Sequence, residues 1–179
     1  MIGRVLIGLM LAGLGCAAAG LTLLVARGAE PGGIEEAWLL VGPPDLGAVD
    51  FPTLRRASLP VDALACPPDH CRAAAPDLVP PVFPVPGERL RAIVEAVAAE
   101  MPRTEPVFHA RWAEEDRYVA RSAWLRRPTT VSVAVIGAGE GRSTLALYAR
   151  SQGALPDLGG NRARLARWLE RIAARAEVP

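Results

Sequence analysis

Lysine is missing altogether, and all 20 basic residues are arginine. That excludes a Schiff-base lysine and a Walker-type phosphate-binding lysine; codon bias in a GC-rich genome is the bland explanation. Charge of one sign is also scarce: 20 basic against 19 acidic groups leave a net charge of +1. A disordered charged tail and the bulk electrostatic case for nucleic-acid binding both fall away. Aromatics make up only 5% of the chain, and there are two histidines, His70 and His109. No G-x-S-x-G elbow occurs, and no carboxylate pair stands at a suggestive spacing. Ser122 and Ser151 each follow an arginine, on different expected strands, where a serine is ordinarily a hydrogen-bonded strand residue. Residue chemistry alone therefore supports no enzyme, names no catalytic residue and calls for no cofactor or metal.

One motif imitates a dinucleotide site. A valine-rich run leads into Gly137-Ala138-Gly139-Glu140-Gly141, but the third glycine of G-x-G-x-x-G would fall on Arg142. The following segment alternates like a strand instead of opening a helix, so no helix N-terminus would meet a pyrophosphate. A hairpin turn is the better use of these glycines.

What the chain does have is a long apolar run. From Val5 to Ala26, between Arg4 and Arg27, no residue is charged. As a helix it would measure about 33 Å, enough to cross a hydrocarbon core of about 30 Å. Residues 1–27 thus read as an uncleaved transmembrane anchor. The rivals are a cleaved signal peptide, whose apolar core is normally only about 7–15 residues, and a lipoprotein signal at Cys16. Gly13 stands where that signal wants leucine, and apolar residues continue to Ala26.

Cys66 and Cys71 enclose Pro67-Pro68-Asp69-His70, a loop stiff enough to hold two thiols close. A disulfide in an oxidising compartment suits it and would stabilise by about 2 kcal/mol. A metal site using Cys66, Cys71, His70 and His109 is the rival, although no second cysteine pair follows at zinc spacing. The disulfide reading places the soluble part outside the cytoplasm.

Residues 28–50 are rich in Gly and Pro around Ile34–Val41 and read as a juxtamembrane linker, with Trp38 near the lipid interface. Residues 51–87 are dense in proline and read as extended coil, with an edge strand at Val82–Val85. Leu90, Ile93, Val94, Val97 and Met101 then form a helical stripe that Pro102 stops. Four β-prone runs follow: Pro106–Trp112, Arg117–Leu125, Thr130–Ile136 and Ser143–Arg150. Glu114-Glu115-Asp116 and the Gly137 turn serve as connections. A last helix, from about Asn161, carries Leu165, Trp168, Leu169 and Ile172 on one face. The expected class is α+β: an antiparallel four- to five-stranded sheet with two covering helices, preceded by an N-terminal transmembrane helix.

Motifs in the last third have a family character. Arg121-Ser122, Arg150-Ser151-x-Gly153 and Asp157-Leu158-Gly159-x-Asn161-Arg162 occur together with Phe51-x-Thr53-Leu54 and Ala63-Leu64-Ala65-Cys66-Pro67 upstream. This combination resembles the domain of unknown function 1499 family over roughly residues 50–172, which makes 51–176 the family domain. Departures are Arg127-Pro128-Thr129 where many relatives carry Phe-Pro-Asp, Ala149 for a serine and Val61 for an asparagine. The resemblance implies a bacterial, often membrane-anchored protein and brings no established activity.

The motif residues also have a physical reading. Asp157 and Gly159 suit the turn into the last helix, and Asn161 either caps that helix or joins its buried stripe. Arg121 and Arg150, half-buried on strands, need a carboxylate, a carbonyl or a ligand anion. Arg121, Arg150, Asp157 and Asn161 are expected to converge, as a structural network or as a ligand site that also includes Ser122, Ser151 and Arg162. Three function classes stay open. They are a periplasmic binding module for a small anionic or lipid-like ligand, a structural or interaction protein of the envelope, and, with least support, a hydrolase. The expected location is a single span in a bacterial inner membrane, with the membrane as partner, no nucleic acid, and no protein partner named by the sequence.

Overall fold

Val131 and Val133 point to one side of a buried strand, as their alternation requires, and Val135 packs against the same core. They lie in the longest strand of a computed structural model that describes residues 2–109 and 115–177. The helices are α1 (Ile2–Arg27), α2 (Ile34–Leu39), α3 (Gly87–Glu100) and α4 (Gly160–Ala176). The strands are β1 (Asp62–Ala65), β2 (Thr104–Phe108), β3 (Asp116–Arg121), β4 (Pro128–Gly137) and β5 (Ser143–Ser151). The sheet runs β1-β5-β4-β3-β2, and every neighbouring pair is antiparallel. The molecule is thus α+β, with one five-stranded antiparallel sheet.

The helical stripes meet the sheet on one face. Leu90, Val94 and Val97 of α3 and Leu165, Trp168 and Ile172 of α4 share a core with Tyr118, Val131, Val133, Leu145, Leu147 and Ala149. Each large apolar side chain buried this way contributes about 1.5–3 kcal/mol. An ion pair between Glu100 and Arg175 joins the far ends of the two helices.

Several element expectations need correction. The first strand is Asp62–Ala65, whose four residues are all buried and so show no alternation. Val82–Val85 forms no strand. Only Phe83 bridges to the sheet, exchanging two backbone bonds with Ser143, because Pro81, Pro84 and Pro86 have no N–H to offer. Strand β3 ends at Arg121, not Leu125: Ser122 N donates to Arg127 O and the chain turns back. Asp116 belongs to β3 instead of the connection before it. Residues 110–112 of the expected run Pro106–Trp112, and Glu114, lie outside the described residues. The glycine motif is a hairpin turn, with Gly139 and Gly141 at positive φ and Ala138 N bonded to Arg142 O.

The sheet's other face is covered without long helices. Phe51, Leu54, Cys66 and Cys71 pack on Leu64, Ala134, Ala146 and Tyr148. Residues 28–50, expected as a linker, lie along the same face. Gln152 Nε2 donates to the Gly42 and Pro43 carbonyls, and Leu46 N donates to Thr130 Oγ1. Trp38 Nε1 donates to Leu125 O at 2.7 Å. Folded structure therefore begins well before residue 51.

Helix α1 stands apart from this packing. Leu6–Arg27 is long and apolar enough to cross a membrane, and none of it is buried in the fold. Its exit is short and fixed. Gly28 N donates to Leu24 O, Gly28 O accepts from Glu35 N, and a Cβ on Gly33 would collide with the Gly28 carbonyl.

Candidate functional site

Three of the expected site residues meet where α4 begins. Asp157 accepts from the backbone N–H groups of Gly159 and Asn161, at 3.1 and 2.8 Å, so its carboxylate satisfies donors the helix leaves free. Asn161 is buried; its Nδ2 donates to Val61 O at 2.8 Å and to Ser151 Oγ at 2.9 Å. Ser151 Oγ also bonds Thr129 Oγ1. These contacts fasten the first turn of α4 to the end of β5, through it to β4, and to Val61 just before β1.

Arg121 and Arg150 do not join them. Leu147 and Ala149 face the helices, so Arg150 between them and Ser151 points to the opposite face, where its Nη2 donates to Leu46 O at 2.6 Å. Arg121 shares that face and pairs with Glu35 at 3.1 Å and Glu105 at 2.8 Å. The expected four-residue convergence is therefore corrected to two sites on opposite faces. Ser122 Oγ accepts from Arg127 N and shapes the β3–β4 turn. Arg162 is exposed on the first turn of α4.

Arg127 and Arg164 are the arginines that feel the charge of Asp157. Arg127 is buried and donates from Nε to Gln152 O at 2.7 Å. Burial pushes its guanidinium below the ordinary arginine value, and Asp157 partly offsets this. Burial likewise lowers Arg164, and the nearby positive charges of Arg167 and Arg103 lower it further. Arg164 Nε is buried and has no hydrogen-bond partner among the described residues. Among the described residues, no carboxylate lies within ion-pair distance of Arg103, Arg164 or Arg167. The sequence reading missed this trio. Its one available signal was the position of Arg164, immediately before the buried Leu165.

A cleft of about 200 Å³ opens between α2 and the sheet, lined by Glu35, Trp38, Leu39, Arg121, Pro128 and Gln152. Its arginine is already paired with its glutamate. Among the described residues, no serine hydrogen-bonds to a histidine.

Cys66 and Cys71 lie at disulfide distance, with Cα atoms 6.2 Å apart. His70 packs near Phe51, while His109 lies by β3, so the four residues of the rival metal reading do not assemble. His109 has its own acidic neighbours, Glu95 and Asp116, with ligand atoms within 4.8 Å of one another. Asp116 is held there by Arg91, at 2.6 and 2.8 Å, so a guanidinium already supplies the counter-charge.

Comparison of the chain with models of protein families and with curated proteins finds no match.

Proposed function

We propose that the chain is a single-span protein of a bacterial inner membrane, anchored by α1, whose periplasmic domain binds a small anionic amphiphile. Support for the anchor is the length and apolar character of Leu6–Arg27 and its lack of contact with the core. Support for the compartment is the Cys66–Cys71 pair at bonding distance, which an oxidising environment favours. The observation that carries the ligand reading is the Arg103, Arg164 and Arg167 cluster, where, among the described residues, a partly buried guanidinium has no carboxylate within ion-pair distance and an unpartnered Nε. Arginine presents a planar donor fork suited to phosphate or carboxylate headgroups. We also assign the domain to the domain of unknown function 1499 family, on the motifs quoted above. The alternative, a structural or interaction protein of the envelope, has one observation behind it: Arg121 and Arg150 make their bonds inside the fold.

Native mass spectrometry of the full chain, extracted from its host membrane in mild detergent, tests the ligand. An anionic amphiphile should co-purify, and Arg103→Gln with Arg167→Gln should lose it without loss of folding, since both side chains are exposed. Equal retention by the double variant, or no anionic species at all, sinks this reading. N-terminal sequencing after fractionation tests the anchor separately: a soluble species starting between residues 20 and 32 would overturn it.

A further inference from the structure

We propose that the end of the sheet nearest α1 is seated on the bilayer surface. In this arrangement Trp124, Leu125, Leu155 and Leu158 enter the headgroup boundary, and Arg103, Arg164 and Arg167 face anionic lipid. The inference rests on α1 being the membrane anchor.

The apolar residues are exposed to an unusual degree for a folded domain. Trp124 is 80% exposed, Leu40 90% and Leu158 94%, with Leu39, Val41, Leu125 and Leu155 all exposed beside them. They come from α2 and the following residues, from the β3–β4 turn, and from the chain between β5 and α4. Packing contacts bring these segments together. Trp38 Nε1 holds Leu125 O, and a methyl group on Gly153 would meet Val41 at 3.5 Å and Trp38 at 3.7 Å.

The exit of α1 belongs to the same cluster. A methyl group on Gly28 would meet the Arg126 guanidinium at 3.5 Å, and Arg126 pairs with Glu35 of α2. Only residues 28–33 separate the two helices, and Gly28 O is bonded to Glu35 N across that gap. Such a connection has no slack, so a bilayer crossed by α1 must meet this end of the domain.

Leu158 adds an independent argument. Its φ is 52°, a left-handed conformation that a leucine adopts at some cost, and its side chain contacts little of its own chain. An apolar side chain held outward under backbone strain is accounted for by an apolar environment outside the domain. Tryptophan at the headgroup level and arginine beside anionic lipid are the usual chemistry of that boundary. At the other end of the sheet, the β4–β5 turn carries no large apolar side chain, and the exposed apolar residues described there, Val82 at 54% and Phe108 at 44%, are less open than Trp124 or Leu158.

The test uses the full chain with Cys16→Ala, reconstituted in vesicles of phosphatidylglycerol and phosphatidylcholine. Spin labels are placed at Ala123→Cys, Ala154→Cys or, as the distal control, Glu140→Cys. The expected result is a several-fold lower collision rate with a water-soluble nickel complex at 123 and 154 than at 140. Combining Trp124→Ser, Leu155→Ser and Leu158→Ser should abolish that protection. If nickel reaches 123 and 154 as freely as 140 while the chain still floats with the vesicles, the seating is wrong and the anchor stands. A chain that does not float with the vesicles overturns both.

Discussion

Tyr118 and Tyr148 sit on opposite faces of one sheet, each only 2% exposed, and their hydroxyls meet opposite fates. Tyr118, on the helix side, lies edge-on to Trp168 with ring centroids 5.4 Å apart, and among the described residues its hydroxyl has no hydrogen-bond partner. Tyr148, on the other side, donates to Asp62 Oδ2 at 2.7 Å. The same Asp62 accepts from Arg56 and from Ala57 N, and Arg56 also reaches Asp77. One face is closed by shape: two helices fill it, and an orphan hydroxyl is tolerated. The other is closed by irregular chain, which has no periodic apolar stripe to register it. Directed bonds fix that register instead, from Arg117 to Asp45, Arg121 to Glu35, and Gln152 to Gly42.

If this contrast is right, truncation should hurt most on the helix side and deletion of charge on the other. Trp168→Ala removes the largest fully buried side chain of the apolar core and should cost about 3–5 kcal/mol in denaturant or thermal unfolding of the full chain in detergent. A loss below about 1 kcal/mol would mean that the helices are not the main seal. Asp62→Ala should cost about 3 kcal/mol, because the Tyr148 hydroxyl and Ala57 N lose their acceptor and Arg56 keeps only Asp77. Arg56 is partly open to water, which sets this value at the low end of what breaking a buried pair costs. Replacing both Cys66 and Cys71 by alanine should cost about 2 kcal/mol, the chain-entropy value for so short a loop. Unchanged stability there would show that the far face is held by its ion pairs alone.

The same contrast explains what could be read beforehand. Helices α3 and α4 and strands β4 and β5 carry their periodicity in Leu90–Val97, Leu165–Ile172, Val131–Val135 and Leu145–Leu147, because each has one apolar face turned to one core. Strand β1 was illegible: it is buried on both sides and contains Asp62, whose charge is matched by Arg56, six residues earlier in irregular chain that carries no periodicity. The cover formed by residues 28–50 was illegible for a related reason. Many of its contacts run from side chains to carbonyls, and these leave no spacing pattern in a sequence. At the candidate site, Asp157 and Asn161 were readable from turn chemistry. That Arg121 and Arg150 share a face rests on the register of β3, β4 and β5, which spacing alone does not supply. Which face they take was equally hidden, because these strands are buried on both sides and neither face is marked by solvent.

The smallest effect gives the sharpest comparison. Tyr148→Phe removes a hydrogen bond to a charged acceptor and should cost about 1.5 kcal/mol at neutral pH. Tyr118→Phe removes a hydroxyl that was buried without a partner and should be neutral or slightly stabilising. At high pH the two variants should behave alike. Burial raises both phenols above their ordinary value, helped at Tyr148 by the hydrogen bond to Asp62 and at Tyr118 by the charge of Asp116. An acid whose pKa is higher in the folded state keeps its proton there while the unfolded chain loses it. Stability is therefore full below about pH 10, the unfolded phenol value, and falls as pH rises beyond it. The chain has two tyrosines and no lysine, so these phenols should dominate that alkaline loss. Each single variant should flatten the decline between about pH 10 and 12, and the double variant should nearly remove it. Urea titrations of the four proteins across that range settle the point. A decline that persists unchanged in the double variant would mean that neither phenol is held neutral by the fold, and the contrast between the two hydroxyls would then be confined to neutral pH.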